Sequence, residues 1–449
     1  MMLAGMKERN AMAAPPVTSR ANGATPVGAG GAASYGPALA LLASLFFMWG
    51  FITVLNDILI PHLKAVFDLN YTQSLLIQFV WFIAYGVASF PSAKLIERIG
   101  YKRSMVVGLV IMAAGAVGFV PASQFASYGF FLTALFVLAC GITLLQVAAN
   151  PYVAVIGPPS TASFRLNLVQ AFNSLGTFVA PTFGAMLILS RSASGTAEGG
   201  EVKLTAAQKL ADAQSVQIPY LLIAAVLVVI AVIIGRFKLP NLGSATSRMA
   251  ATERHQHSLW KHRNLVFGVP AIGLYVLAEI CVGSLLISFI QQPNIANLSA
   301  SEASHYLTLL WGGMMVGRFL GAFIMRYVAP ARLLGFNALV AAILVMTAVL
   351  GSGHLAMWAL VLVGLFHSIM FPTIFTLGIK GLGPLTEEGS GLLVMAIAGG
   401  ALATVQAWIA DHHGLSISFL IPAACELYIL FYAIWGSKPT NAFPDEEAA

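Results

Sequence analysis

The sequence predicts an all-α membrane protein of twelve transmembrane helices in two six-helix pseudo-repeats. Three observations carry that prediction. Apolar residues make up 58% of the 449-residue chain and charged residues only 9%, whereas a soluble domain has about 25% charged residues to cover its surface. Apolar stretches long enough to span a bilayer, roughly 20 residues each, recur along the whole chain. Breaker and polar residues recur at one offset between its halves.

The twelve stretches fall at about 37–63, 73–94, 104–121, 127–155, 166–190, 218–236, 265–290, 304–327, 332–351, 355–379, 389–411 and 415–436. Residues 1–36 are rich in Gly, Ala, Ser and Pro, and read as a disordered tail with no cleavable leader; 437–449 reads as a second tail. Between the halves at 37–236 and 265–436, residues 237–264 are polar, basic and long enough to be a linker. Its His255, His257 and His262 are scattered loop residues, and no metal site is expected. Cys140, Cys281 and Cys425 lie far apart in apolar stretches and read as packing residues. The net charge of +6 comes from short loops, so it is no nucleic-acid signal. Of the 23 Lys and Arg, only Lys64, Arg191, Lys203 and Lys209 fall on the side opposite the N-terminus, and Arg318 lies within a span. That asymmetry predicts both termini in the cytoplasm and an inner (plasma) membrane location.

The fourth stretch contains "QVAANPYVAVIG" and the tenth "HSIMFPTIFTLG". In both, Pro (Pro151, Pro372) precedes Gly (Gly157, Gly378) by six positions, and a polar residue (Gln146, His367) precedes the Pro by five. The same offset puts Asp57 one residue from the register of Glu279. Arg98, in "AKLIERIGYKR" after the second stretch, corresponds to Arg326, in "GAFIMRYVAPAR" after the eighth. Parallel repeats with matched breakers are a transporter pattern, with the ligand site between the halves near the midplane. Each proline also frees a backbone carbonyl, which must find a partner in a neighbour or a cavity.

Asp57 sits in "LNDILIPHL", inside one of the most apolar parts of the chain. An aspartate at a helix centre costs roughly 2.5–3.5 kcal/mol on insertion scales, so it needs a partner, a cavity or a protonation cycle. Desolvation favours the neutral acid; a carboxyl dry in one state and wet in another takes up and releases a proton. Glu279 is open to three readings: a hydrogen bond to a ligand, a second titrating site, or a pair with Arg318. Glu426 reads as structural. Asn167, Gln170 and Asn173 are spaced three apart and share a helix face. With Asn56, Gln146, Asn150 and His367 they form a polar set suited to a neutral polyhydroxyl ligand, because an amide both donates and accepts. Trp49, Phe172 and Phe371 offer rings for stacking. The competing reading is amides that bind helix to helix.

No G-x-x-x-x-G-K-[ST] or G-x-S-x-G occurs, so neither ATP-driven chemistry nor a serine nucleophile is expected. No catalytic residue and no cofactor is expected. A membrane sensor would need a signalling domain, and a multidrug exporter a greasier cavity. The residues leave the coupling ion open between proton and sodium.

"ERIGYKR" (97–103) resembles the loop motif of the major facilitator superfamily, with Glu97 where Asp is usual. "FFMWGFITVLNDILIPHLK", "QVAANPYVAVIGP", "FRLNLVQAFNSLG" and "FPTIFTLGIKGLG" together resemble the fucose/glucose–galactose permease family of sugar–proton symporters, over about residues 45–435. The resemblance implies the major facilitator fold and alternating access around a sugar site. The family's coupling aspartate falls on Asp57 and its sugar-contacting amides on Gln170 and Asn173. Gln146 stands where the fucose permease is acidic, and Phe371 where it has an aromatic hydroxyl. Both departures point to the glucose/galactose branch, with fucose and N-acetylglucosamine as alternatives. The expected partners are a sugar, a coupling proton and the lipid bilayer, with no nucleic acid, and a monomer is expected. Glu97, Arg98, Lys102 and Arg326 are expected to latch the cytoplasmic face.

Overall fold

The computed structural model describes residues 35–67, 71–125, 127–187, 214, 216–240 and 258–442; the side chains at 55–66, 71–75, 78, 181–187, 300 and 301 lie outside that description. Most of the predicted first tail and of the predicted linker, and residues 443–449 of the second tail, also lie outside it. Among the described residues there are helices and no strand. They are α1 (Gly36–Phe67), α2 (Tyr71–Gln124), α3 (Tyr128–Val155), α4 (Ala162–Leu187), α5 (Gln217–Arg236), α6 (Arg263–Ile290), α7 (Ala300–Ile324), α8 (Pro330–Leu350), α9 (Gly353–His367), α10 (Met370–Ile379), α11 (Thr386–Met395), α12 (Ala403–His413), α13 (Leu415–Ser418) and α14 (Leu420–Phe431).

These elements make twelve membrane crossings. Ten described stretches are long and apolar enough to span. One of them, Phe79–Gln124, covers 46 residues and is two crossings joined end to end. The remaining crossing is α4, whose first half carries the amides. The second and third crossings meet at a single residue, not at the loop their apolar limits predict. Gly100, at φ 79° and ψ 165°, is the non-helical point inside α2; that left-handed backbone favours glycine. Lys94–Arg98 continue the helix past the apolar limit because long basic side chains reach the interface from a helical backbone. The tenth crossing is α9 plus α10, and the eleventh is α11 and α12 joined by a tighter helical turn at Ala396–Leu402.

Packing divides the bundle into two groups. In the first, α1 packs on α4, and α2 on α3 and α5; in the second, α8 packs on α9 and α14, and α6 on α10 and α14. The groups meet where α4 crosses α7 and α10, and where α2 and α3 cross α11. The α1–α4 crossing is close enough to exclude a side chain. A Cβ at Gly50 would sit 2.2 Å from the Asn173 carbonyl oxygen. Gly50→Val is therefore expected to cost about 3 kcal/mol and to remove the folded species from size-exclusion profiles of the solubilised protein; a wild-type profile would contradict this contact.

Both matched prolines find the partners their chemistry demands. Pro151 cannot donate to Val147, whose carbonyl instead accepts from the Ser390 hydroxyl of α11 at 3.1 Å. Pro372 cannot donate to Ser368, whose carbonyl accepts from Arg318 Nε of α7 at 2.9 Å. Arg165, counted in the sequence among loop charges, is only 1% exposed. It donates to the carbonyls of Val153, Ala154 and Pro158. These include last-turn carbonyls of α3, which lack helical partners and favour a cation.

Candidate functional site

The amide set lies on α3 and α4, and the structure splits it by partner. Gln146 donates from Nε2 to the Tyr85 hydroxyl at 2.6 Å. Asn173 donates to the Phe46 carbonyl of α1 at 2.9 Å. Asn167 donates to the Ser163 carbonyl at 2.8 Å and to Thr373 Oγ1 at 3.2 Å. Asn167 and Asn173 thus join helices, as membrane amides commonly do. Asn150 is different. It is 0% exposed, and neither its Oδ1 nor its Nδ2 has a partner among the described residues. Gln170 Nε2 and Asn167 Oδ1 are likewise buried and without a partner among the described residues. A buried polar atom without a partner costs about 1–3 kcal/mol. Such amides on adjacent crossings are the arrangement a hydroxyl-rich ligand would relieve.

The opposing wall comes from the second group. Tyr275 and Glu279 lie one turn apart on α6. The Tyr275 hydroxyl is within electrostatic reach of the Glu279 carboxyl and the Arg318 guanidinium, and no partner among the described residues meets it in full hydrogen-bond geometry. The His367 ring packs edge-on against Tyr275 at 5.9 Å between centroids, and the Phe371 ring lies 6.5 Å from Tyr275 and stacks on Phe375 at 6.2 Å. His367 is held from behind: its Nε2 meets Glu426 Oε1 of α14 at 2.7 Å, with both side chains almost fully buried.

Arg318 joins the two walls. It is 8% exposed. Besides Ser368, it donates from Nη1 to Ser174 Oγ at 2.5 Å and to the Gln170 carbonyl at 3.4 Å. A cation at this depth is tolerated because its Nε and Nη1 find oxygens, while Nη2 faces the Met314 sulfur at 3.5 Å.

Asn56 and Asp57 lie on α1, two helical turns beyond the Gly50 crossing; their side chains fall outside the described residues. Among the described residues no group of His, Cys, Asp and Glu could hold a metal ion.

At the basic end of the bundle the contacts between the groups are ionic and aromatic. Lys94 Nζ lies 2.7 Å from Glu388 Oε1 across the interface and 3.7 Å from Glu97 Oε2 on its own helix. The Arg326 guanidinium stands 4.2 Å from the centroid of Phe164 on α4. Ser163 and Thr376 share a hydrogen bond at 2.7 Å. Lys94 and Glu388 were not singled out in the sequence. They are 294 positions apart, and nothing local marks either. Lys94→Glu is expected to loosen this end by no more than about 1 kcal/mol, because the pair is partly exposed. Glu388→Lys added to it should restore wild-type transport; a double variant worse than the single would exclude the pairing.

A twelve-crossing bundle of two groups, with prolines at matched crossings and a polar site between the groups, defines a membrane transporter. Residues 38–406 match the Major Facilitator Superfamily, and the chain belongs to that superfamily. It is 50% identical over 406 residues to the glucose/galactose transporter of Brucella abortus, covering 90% of this chain and 95% of that one. It is 36% identical over 425 residues to the L-fucose-proton symporter of Escherichia coli, covering 91% and 95%. A crystal structure of FucP, a superfamily transporter in the outward conformation, superposes with a TM-score of 0.81 at 35% identity, covering 90% of this chain and 99% of that one.

Proposed function

We propose that the protein imports a hexose of the glucose/galactose type by proton symport, through alternating access. The observation that carries this reading is the 50% identity to a glucose/galactose transporter along nearly the whole of both chains. The unpaired Asn150 and Gln170 amides agree with it, because sugar hydroxyls both donate and accept. So does Gln146, where the resemblance places an acidic residue in fucose permeases.

In this reading the molecule is a carrier, not an enzyme, and acts as a monomer in the inner membrane with both termini cytoplasmic. The halves at 37–236 and 265–436 rock about the site, joined by the 237–264 linker. The basic end is the cytoplasmic side. Its Lys94–Glu388, Arg326–Phe164 and Ser390–Val147 contacts close it, with Glu97, Arg98 and Lys102 beside them, and the state is outward-facing. Asp57 takes a proton from outside, sugar binds against Gln146, Asn150, Gln170, Asn173 and Glu279, and the closing contacts release as the carrier turns inward.

The test is external pH in a lightly buffered suspension of de-energised cells expressing the protein, as glucose, galactose, N-acetylglucosamine or fucose is added. An alkaline jump with glucose or galactose is expected. Entry of labelled hexose with no jump would remove the proton from the mechanism. Entry of fucose alone would remove the hexose assignment. Gln170→Ala is expected to weaken hexose binding by about tenfold, equivalent to one hydrogen bond. Unchanged affinity in equilibrium binding would take Gln170 out of the site.

A further inference from the structure

Glu426 has no place in the mechanism above, and it is the most enclosed carboxyl among the described residues. It is 0% exposed, on α14, in a crossing that contributes nothing else to the site. Its Oε1 meets His367 Nε2 at 2.7 Å. Its Oε2 has no partner among the described residues. Burying a carboxyl this way is costly unless the paired group needs it.

The paired group is well placed to need it. His367 ends α9, immediately before the break that Pro372 imposes and Arg318 seals. Its ring lies edge-on to Tyr275, whose hydroxyl reaches towards Glu279 and Arg318, and Arg318 in turn holds the Gln170 carbonyl. A series of contacts therefore runs from Glu426 through the His367 ring, packed edge-on to Tyr275, towards Arg318 and the amide wall. His367 Nδ1 makes no hydrogen bond among the described residues. A carboxyl on one ring nitrogen keeps the proton there, so the other nitrogen of the neutral ring is an acceptor. The same logic orients histidines in metal and catalytic sites.

We infer that Glu426 is a positioning residue for sugar binding: through Nε2 it fixes the ring and tautomer of His367, so that Nδ1 serves with the Tyr275 hydroxyl as a ligand contact on the second wall. The inference rests on the hexose reading above. The titratable and charged groups around the pair are Tyr275, Glu279 and Cys281 on α6, Arg318 on α7 and Cys425 beside Glu426 on α14. Of these groups, Glu426 is the one whose oxygen meets a ring nitrogen of His367.

The experiment is equilibrium binding of galactose and glucose to the purified full-length protein between about pH 5.5 and 8, for wild type, His367→Ala, Glu426→Gln and the double variant. Glu426→Asp serves as the conservative rescue. Each of the first two single variants is expected to lose about tenfold in affinity. The double variant should lose no more than His367→Ala alone, because one residue acts through the other. Glu426→Gln should flatten the dependence of affinity on pH in the imidazole range, and Glu426→Asp should recover part of both. Penalties that add in the double variant, or wild-type affinity and pH profile in Glu426→Gln, would overturn the inference. If Glu426→Gln does not fold, an affinity and profile in Glu426→Asp equal to those of His367→Ala would overturn it too. If the wild type binds neither hexose, the functional reading fails first, and this inference falls with it.

Discussion

Asp57→Asn is expected to abolish uphill accumulation of hexose while sparing exchange of labelled sugar across the membrane. Asparagine keeps the size and hydrogen-bonding capacity of a neutral aspartic acid but cannot give up a proton. In the proposed mechanism the variant mimics the protonated carrier permanently, so the sugar-bearing turn is expected to survive and the ion-driven step to be lost. At a proton gradient of one pH unit, wild type gains about 1.4 kcal/mol per proton, a tenfold accumulation ratio. The variant should come to a ratio of one. Transport into proteoliposomes with an imposed gradient measures both activities. Full accumulation by the variant would transfer coupling to another group, with Glu279 as the first candidate.

Arg318→Met is expected to have the second large effect, on the balance of conformations. Two of the acceptors of Arg318, Ser174 Oγ and the Gln170 carbonyl, lie in the other helical group. Another, the Ser368 carbonyl, was freed by Pro372. Methionine fills much of the volume and supplies no donor. A hydrogen bond to a charged group contributes about 2 kcal/mol, roughly a thirtyfold change in the ratio of closed to open at the basic end. Alkylation of a cysteine placed at Ser163, in a background lacking Cys140, Cys281 and Cys425, should rise accordingly. Arg318→Lys should lie between the two, because an ammonium keeps the charge and loses the fork. Alkylation equal to wild type in Arg318→Met would mean the guanidinium is only a local seal for the proline break.

Much of this molecule is legible along the chain. Apolar length marks the crossings, the Lys and Arg asymmetry marks one end as basic, and the prolines announce carbonyls that need donors. The spacing of Asn167, Gln170 and Asn173 places three amides on one face of α4. The chain does not say which of them are satisfied. Asn173 donates to Phe46 and Asn167 to Thr373, while Asn167 Oδ1, Gln170 Nε2 and both polar atoms of Asn150 are left without partners among the described residues. His367 could be read only as a polar residue before a proline. That it rests on Glu426, 59 positions on, is invisible from either sequence neighbourhood.

The sequence by itself determined what depends on each residue's own transfer energy and backbone chemistry: the membrane as solvent, the crossings, and the need of Val147 and Ser368 for outside donors. The tertiary structure decided which distant groups meet those needs. Ser390 and Arg318 are the donors, Lys94 finds Glu388, and Arg165 leaves the loop to cap α3. The reason is physical. Insertion cost and helix periodicity are local and can be summed along a chain, whereas the pairing of buried polar groups is set by where helices cross, through contacts such as that of Gly50 with Asn173.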